Sequence, residues 1–120
     1  MTTDSTQAKY SETAETLPRA AASVVLLRDS DAGLQVLLLR RHQQAPVLGG
    51  VMVFPGGKVD ADDASPEWLP YLEAAGATLV QRLGEPDLTV PQAQALFVAA
   101  ARELWEEAGV ALLSGGQAAD

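Results

Sequence analysis

Arg102-Glu103-Leu104-Trp105-Glu106-Glu107-Ala108-Gly109-Val110 decides how this 120-residue chain is read. The stretch closes an amphipathic run that opens at Thr89-Val90-Pro91-Gln92. Thr89 can accept a hydrogen bond from an unpaired amide of a first helical turn, and Gln92, three residues on, completes a capping box. A helix is therefore predicted from about Val90 to Ala108, stopped by Gly109. With about 100° of rotation per residue, Glu103, Glu106 and Glu107 fall within an arc of about 100°. Phe97, Val98, Ala101, Leu104, Trp105 and Ala108 form the opposite stripe, which is predicted to bury the helix against a sheet. Carboxylates three and four residues apart repel by a few tenths of a kcal/mol per pair. A solvated acidic face is the ordinary explanation of such a pattern. A hard divalent cation gives a specific reason to keep it, because such ions prefer carboxylate oxygen and water and bridge to phosphates.

Upstream, Ala21 to Leu27 and Leu34 to Arg40 are apolar runs joined by the turn-rich Asp29-Ser30-Asp31-Ala32-Gly33. They predict a hairpin whose strands are buried on both faces. Gln43 to Gly50 reads as a loop and Val51 to Phe54 as a strand ended by Pro55-Gly56-Gly57. Paired glycines there serve either a tight turn or a close approach of backbone to a ligand. Pro66 and Pro70 suit the first turn of a helix better than its middle, so the next helix is predicted from near Pro70 to Leu83. Val110 to Leu113 reads as the start of another strand. Residues 1–18, rich in Thr, Ser and acids without periodicity, read as a mobile arm, and 19–120 as the folded unit.

Phe54-Pro55-Gly56-Gly57 and, after a gap, Arg102 to Val110 together resemble the two halves of the Nudix box. Arg102 lies 45 positions after Gly57, much farther than the ordinary box allows, and the excess coincides with a segment at about 64–88. An insertion of this kind resembles the subgroup related to peroxisomal coenzyme A diphosphatases. The resemblance implies an α/β fold, the Nudix α/β/α sandwich with a mixed sheet, present here in incomplete form. It implies hydrolysis of a diphosphate linkage in a nucleoside-diphosphate-X substrate, with coenzyme A or an acyl derivative as one candidate and Mg2+ or Mn2+ as cofactor. Glu106 and Glu107 would be the principal metal ligands, with Glu103 as another ligand or a water-orienting acid, and all three would be catalytic residues. Gly57 would let the loop curve around the metal and phosphate region. Arg102 would hold Asp63 or a nearby carboxylate and fix the loop against the helix; Asp63 stands where the family usually has a loop glutamate.

Leu38-Leu39-Arg40 and the stretch from Gly50 to Gly57 partly resemble a coenzyme A-associated pattern, with Pro46 where a second arginine is expected. Arg40 and Lys58 are the candidate substrate-binding cations; Arg41 and His42 beside Arg40 could also meet a substrate phosphate, against the plain alternative of a solvated strand end. His42, the sole histidine, has no evident partner to make it a general base. Trp68, Tyr71 and Trp105 either line a base pocket or, as aromatics at helical spacing more often do, pack internally.

The bulk composition agrees with a single domain. Eight Lys plus Arg against sixteen Asp plus Glu give a net charge of -8, which argues against a nucleic-acid partner. A small phosphorylated ligand stays admissible where carboxylates hold a cation. The absence of cysteine removes disulfides and thiolate chemistry. No secretory leader or membrane-length apolar run is evident, and a cytoplasmic protein without membrane association is expected. A homodimer or a missing C-terminal portion would complete the sandwich. The competing expectation is a non-catalytic binding or assembly module on the same scaffold.

Overall fold

The computed structural model describes residues 18–44, 49–74 and 76–114. The stretch expected to be a mobile arm, up to Leu17, and Pro46 lie outside them. Among the described residues, six short strands form three antiparallel ladders. β1 (Ala21–Ser23) pairs with β6 (Gly56–Lys58), placing Ala22 opposite Gly57. The pairing is lengthened at its two ends by Val24 N–H to the Pro55 carbonyl, 2.8 Å, and Val59 N–H to the Ala20 carbonyl, 2.9 Å. β2 (Leu27–Arg28) and β3 (Gln35–Val36) are the predicted hairpin, closed by reciprocal backbone bonds between Ser30 and Gly33. β4 (Leu39–Arg40) pairs with β5 (Met52–Val53).

Two 3-10 helices follow, Ala61–Ala64 and Pro66–Tyr71, then α1 (Gly76–Leu83) and α2 (Val90–Ala108). α2 has the predicted ends. The Gln92 amide donates to Thr89 Oγ1 at 3.3 Å, and the Thr89 amide donates to Gln92 Oε1 at 2.9 Å. Gly109 closes the helix at φ +67° with its N–H on the Trp105 carbonyl. α2 packs against α1, the first 3-10 helix, β6 and β1. Ala93, Ala95 and Ala99 are buried along it, and their small side chains let these neighbours come close. Val98, Leu104 and Leu79 of α1 supply the bulk of this core.

Several expectations need correction. The middle helix does not run from Pro70. The chain makes a 3-10 helix with Pro66 in its first turn, turns extended at Leu72, and becomes α-helical only at Gly76. Pro70 lies inside that 3-10 helix, which ends with the Leu72 N–H on the Leu69 carbonyl, so no α-helix starts from it. Pro55-Gly56-Gly57 does not end the sheet in a turn; both glycines lie within β6. Val110 to Leu113 form no strand, and Leu112 and Leu113 are exposed. The hairpin is not buried on both faces, since Val25, Leu27, Leu34 and Val36 are all exposed. On α2, the predicted stripe is only partly covered: Val98 and Leu104 are buried, while Ala101 and Trp105 are exposed. Apolar patterning says which side chains need cover, and among the described residues nothing lies over these. No helix among the described residues is long and apolar enough to cross a membrane.

Candidate functional site

Arg102 is the organising side chain. Its Nε donates to Asp63 Oδ1 at 2.9 Å and its Nη2 to Asp63 Oδ2 at 3.0 Å, a two-bond fork on one carboxylate. Nη2 also reaches the Lys58 carbonyl at 3.1 Å, and Nη1 reaches Glu103 Oε1 at 3.0 Å and Glu106 Oε2 at 3.1 Å. One guanidinium thus ties the catalytic-helix candidate, α2, to the end of β6 and to the first 3-10 helix.

The other half of that joint is Asp63, whose side chain is only 2% exposed. Besides Arg102, it accepts the Asp60 amide at 2.7 Å, which closes the start of the 3-10 turn. Burial alone would raise its pKa. The Arg102 hydrogen bonds, the Asp60 amide and the Arg102 charge together outweigh burial and hold the carboxyl below its ordinary range. The same bonds to Asp63, opposed by burial, push the Arg102 pKa further up. Folded Asp63 therefore binds its proton more weakly than unfolded Asp63, so its stabilisation is fully present above about pH 4 and is lost as pH falls from there through the lower folded value. Urea denaturation between pH 3 and 6 is expected to show this loss, and Asp63→Asn should flatten it. An equal acid slope in the variant would assign the pH dependence to other carboxylates.

Gln94, buried at 4% exposure, completes the joint. Its Nε2 donates to the Asp63 carbonyl at 3.2 Å and to the Ser65 carbonyl at 2.8 Å, fastening the loop that precedes the inserted segment to α2. Sequence reading missed this residue, although a polar amide between Ala93 and Ala95 on an apolar sector was the available signal. Gln94→Leu leaves both carbonyls without that donor and is expected to cost about 1–3 kcal/mol. A denaturation midpoint unchanged by Gln94→Leu would show that water replaces the amide.

Around this joint the acids gather. The side chain of Glu103 is 15% exposed and that of Glu106 53% exposed, and both share Arg102 Nη1. A Cβ built on Gly57 would fall 2.5 Å from the Glu103 carboxyl carbon, so the missing side chain in β6 is the space the acid occupies. Gly57 therefore acts as a strand position that admits Glu103, not as a curved loop. The Glu107 carboxyl is raised above its usual range, first by desolvation, then by hydrogen bonding to Glu103 and by the Glu103 charge. The Gly56 amide and the Arg41 charge oppose that rise. Glu103 thus shares a guanidinium nitrogen with Glu106, and its charge bears on Glu107. Among the described residues, no three acids converge on one point as a ready metal cage. The all-oxygen donor set and the crowding of Glu103 against Glu107 fit a hard divalent cation, which would relieve that repulsion. Glu106 would have to leave Arg102 to join them.

An open groove of about 600 Å³ begins at Glu107 and is lined by Ser23, Leu39, Arg40, Arg41, Phe54 and Gly57, among others. Of the two predicted substrate cations, Arg40 borders it. Lys58 does not, and what the structure records of Lys58 is its carbonyl on Arg102. His42 Nδ1 accepts the Gln44 amide at 3.1 Å, a local turn contact. Trp68 and Tyr71 stack edge-to-face at 6.4 Å beside a separate depression, and Trp105 is exposed, so none of the three aromatics enters the groove.

A family model described as the NUDT19 Nudix domain matches residues 10–120. The chain is 35% identical over 128 residues to "Acyl-coenzyme A diphosphatase NUDT19" of Gallus gallus, covering 82% of this chain and 33% of that protein. It is 34% identical over 101 residues to the Homo sapiens protein of the same name, covering 68% and 27%. The chain thus spans about a third or less of the length of these curated relatives. The crystal structure of a NUDIX hydrolase from Alicyclobacillus acidocaldarius superimposes with a TM-score of 0.51 at 31% identity, over 76% of this chain and 36% of that one. This likeness bears out the α/β fold class expected from the sequence.

Proposed function

Because the chain belongs to the Nudix hydrolase family, we propose that it hydrolyses the diphosphate linkage of a nucleoside-diphosphate-X compound, with an acylated coenzyme A as the leading substrate and Mg2+ or Mn2+ as the cation. The observation that carries this reading is the place of Glu103 against Gly57, with Glu106 beside it on Arg102 and Glu107 lining a groove that also holds arginines. Glu103 and Glu107 would hold the cation, with Glu106 joining on release from Arg102. When bound, the cation supplies an activated water and neutralises charge on phosphoryl oxygens. The chain's own residues do the rest. Asp63 and Arg102 fix α2 against β6, Gly57 gives Glu103 its place, and Leu39, Val53 and Phe54 offer the groove an apolar wall for the part of the substrate beyond the phosphates. The names of the relatives support the choice of an acyl-coenzyme A.

The test is an assay of the protein at its full natural length with coenzyme A, an acyl-coenzyme A, ADP-ribose, NADH and diadenosine polyphosphates, with and without each cation. Cation-dependent release of two phosphate-ended products is expected, fastest from the coenzyme A compounds. No turnover of any of them would overturn the reading. A second reading, an assembly module that uses the scaffold without catalysis, is favoured by the exposed apolar residues Leu27, Leu34, Val36 and Trp105. It predicts self-association or partner binding in a protein inert in that assay.

A further inference from the structure

Asp62, Ser65, Trp68 and Tyr71 recur at every third position and line one open depression of about 520 Å³, with Glu67 beside them. The period is that of a 3-10 helix, in which side chains three apart lie over one another. Trp68 and Tyr71 belong to the second of the two 3-10 helices and Asp62 to the first. At the junction the Ser65 amide donates to the Asp62 carbonyl at 3.1 Å and the Trp68 amide to the Ser65 carbonyl at 3.2 Å, so the spacing of the backbone bonds is kept across it.

The two rings stand at 71° with centroids 6.4 Å apart, forming two walls of a corner. Their surfaces stay accessible, Trp68 at 38% and Tyr71 at 81% exposure. The Trp68 indole N–H is spent on the Asp62 carbonyl at 3.0 Å, which fixes the ring and leaves its face as what it can offer. Gln94 of α2 holds the Ser65 carbonyl at 2.8 Å, so the floor of the corner is tied to the buried core before any ligand arrives. A site fixed in advance loses less of its binding energy to ordering.

The charge of the corner has one sign. No Lys, Arg or His lines it, and among the described residues the recorded ion pairs all belong to Arg102, so neither Asp62 nor Glu67 has a cation. A nucleobase could stack on the rings, but the phosphates of a nucleotide would be repelled by both acids. The face of an aromatic ring carries partial negative charge, and rings and carboxylates therefore attract the same kind of ligand, a cation. A primary ammonium is compact and strongly hydrated, whereas a quaternary one spreads its charge over methyl groups that ring faces can cover.

We propose that this depression binds the quaternary ammonium group of a small organic cation, with Trp68 and Tyr71 against its methyl groups and Asp62 and Glu67 balancing its charge. The site shares no lining residue with the groove at Glu107 and is independent of the chemistry there.

The experiment titrates the full natural-length protein with choline and, in parallel, with its uncharged carbon analogue, in which a tert-butyl group replaces the trimethylammonium group. Ionic strength is held constant, and the Trp68 indole N–H is followed by nuclear magnetic resonance, its signal assigned by its loss in Trp68→Phe. Saturable binding of choline is expected at concentrations on the order of millimolar, as for two exposed rings and two screened charges, with no saturation by the carbon analogue. Tyr71→Ala and Glu67→Gln should each weaken choline binding roughly two- to fivefold. Both residues are exposed, so the unfolding midpoints of these variants should match wild type. An equal response to choline and its carbon analogue would reduce the depression to an apolar surface and overturn the proposal. Wild-type affinity in both variants, or no saturable effect of choline on Trp68, would overturn it as well.

Discussion

Arg102→Met is expected to destabilise the protein by about 3–5 kcal/mol, because it leaves the Asp63 carboxylate buried without its countercharge. The methionine preserves much of the apolar stem, so the loss reports the guanidinium and not an empty space. Asp63 would keep only the Asp60 amide, and the Lys58 carbonyl would lose its Arg102 donor as well. Asp63→Leu alone should also be costly, since Arg102 would keep Glu103 and Glu106 but lose its two-bond fork on a buried carboxylate. The double variant Arg102→Met/Asp63→Leu is the informative one. A buried pair replaced by apolar groups of similar size loses its attraction and its desolvation penalty together. The double variant is therefore expected to be more stable than Arg102→Met, and the cycle of four urea-denaturation curves should give a coupling of at least about 1 kcal/mol. Strictly additive losses would show that Arg102 and Asp63 act separately, and the joint between α2 and the first 3-10 helix would need another explanation.

What the sequence revealed most clearly was what local rules control. α2 begins at Thr89 and ends at Gly109 because the cap residues and the terminal glycine act within a turn of themselves, and no distant contact needs to be known. The clustering of Glu103, Glu106 and Glu107 follows from the same periodicity. The partnership of Arg102 with Asp63 spans 39 residues, beyond the reach of any periodic argument, and was accessible only through resemblance to a family pattern. The apolar stretches that were misread share one cause. Whether Leu27, Val36 or Trp105 is covered depends on what else packs there, which an apolar pattern does not specify. Pro70 shows the opposite case, a local rule applied in the wrong frame, since the proline fits inside a 3-10 helix where an α-helical start was expected.

Glu107→Gln is expected to lower cation-dependent turnover by at least roughly 10²-fold, the scale seen when one preorganised group that stabilises developing charge is removed. The same substitution should leave stability unchanged or slightly raised, because Glu103 and Glu107 repel at four-residue spacing and the amide ends that repulsion. These opposite signs separate a functional acid from a structural one. Glu106→Gln should cost less, since its carboxylate lies more than half in solvent and an amide oxygen can still accept from Arg102. Cation binding offers a readout independent of turnover. Mn2+ that binds the folded chain through Glu103 and Glu107 should raise the unfolding midpoint of the wild type, and Glu107→Gln should abolish most of that rise. Wild-type turnover in Glu107→Gln would remove the acid from the site. Turnover lost in step with unfolding would reassign it to the framework that Arg102 and Asp63 hold together.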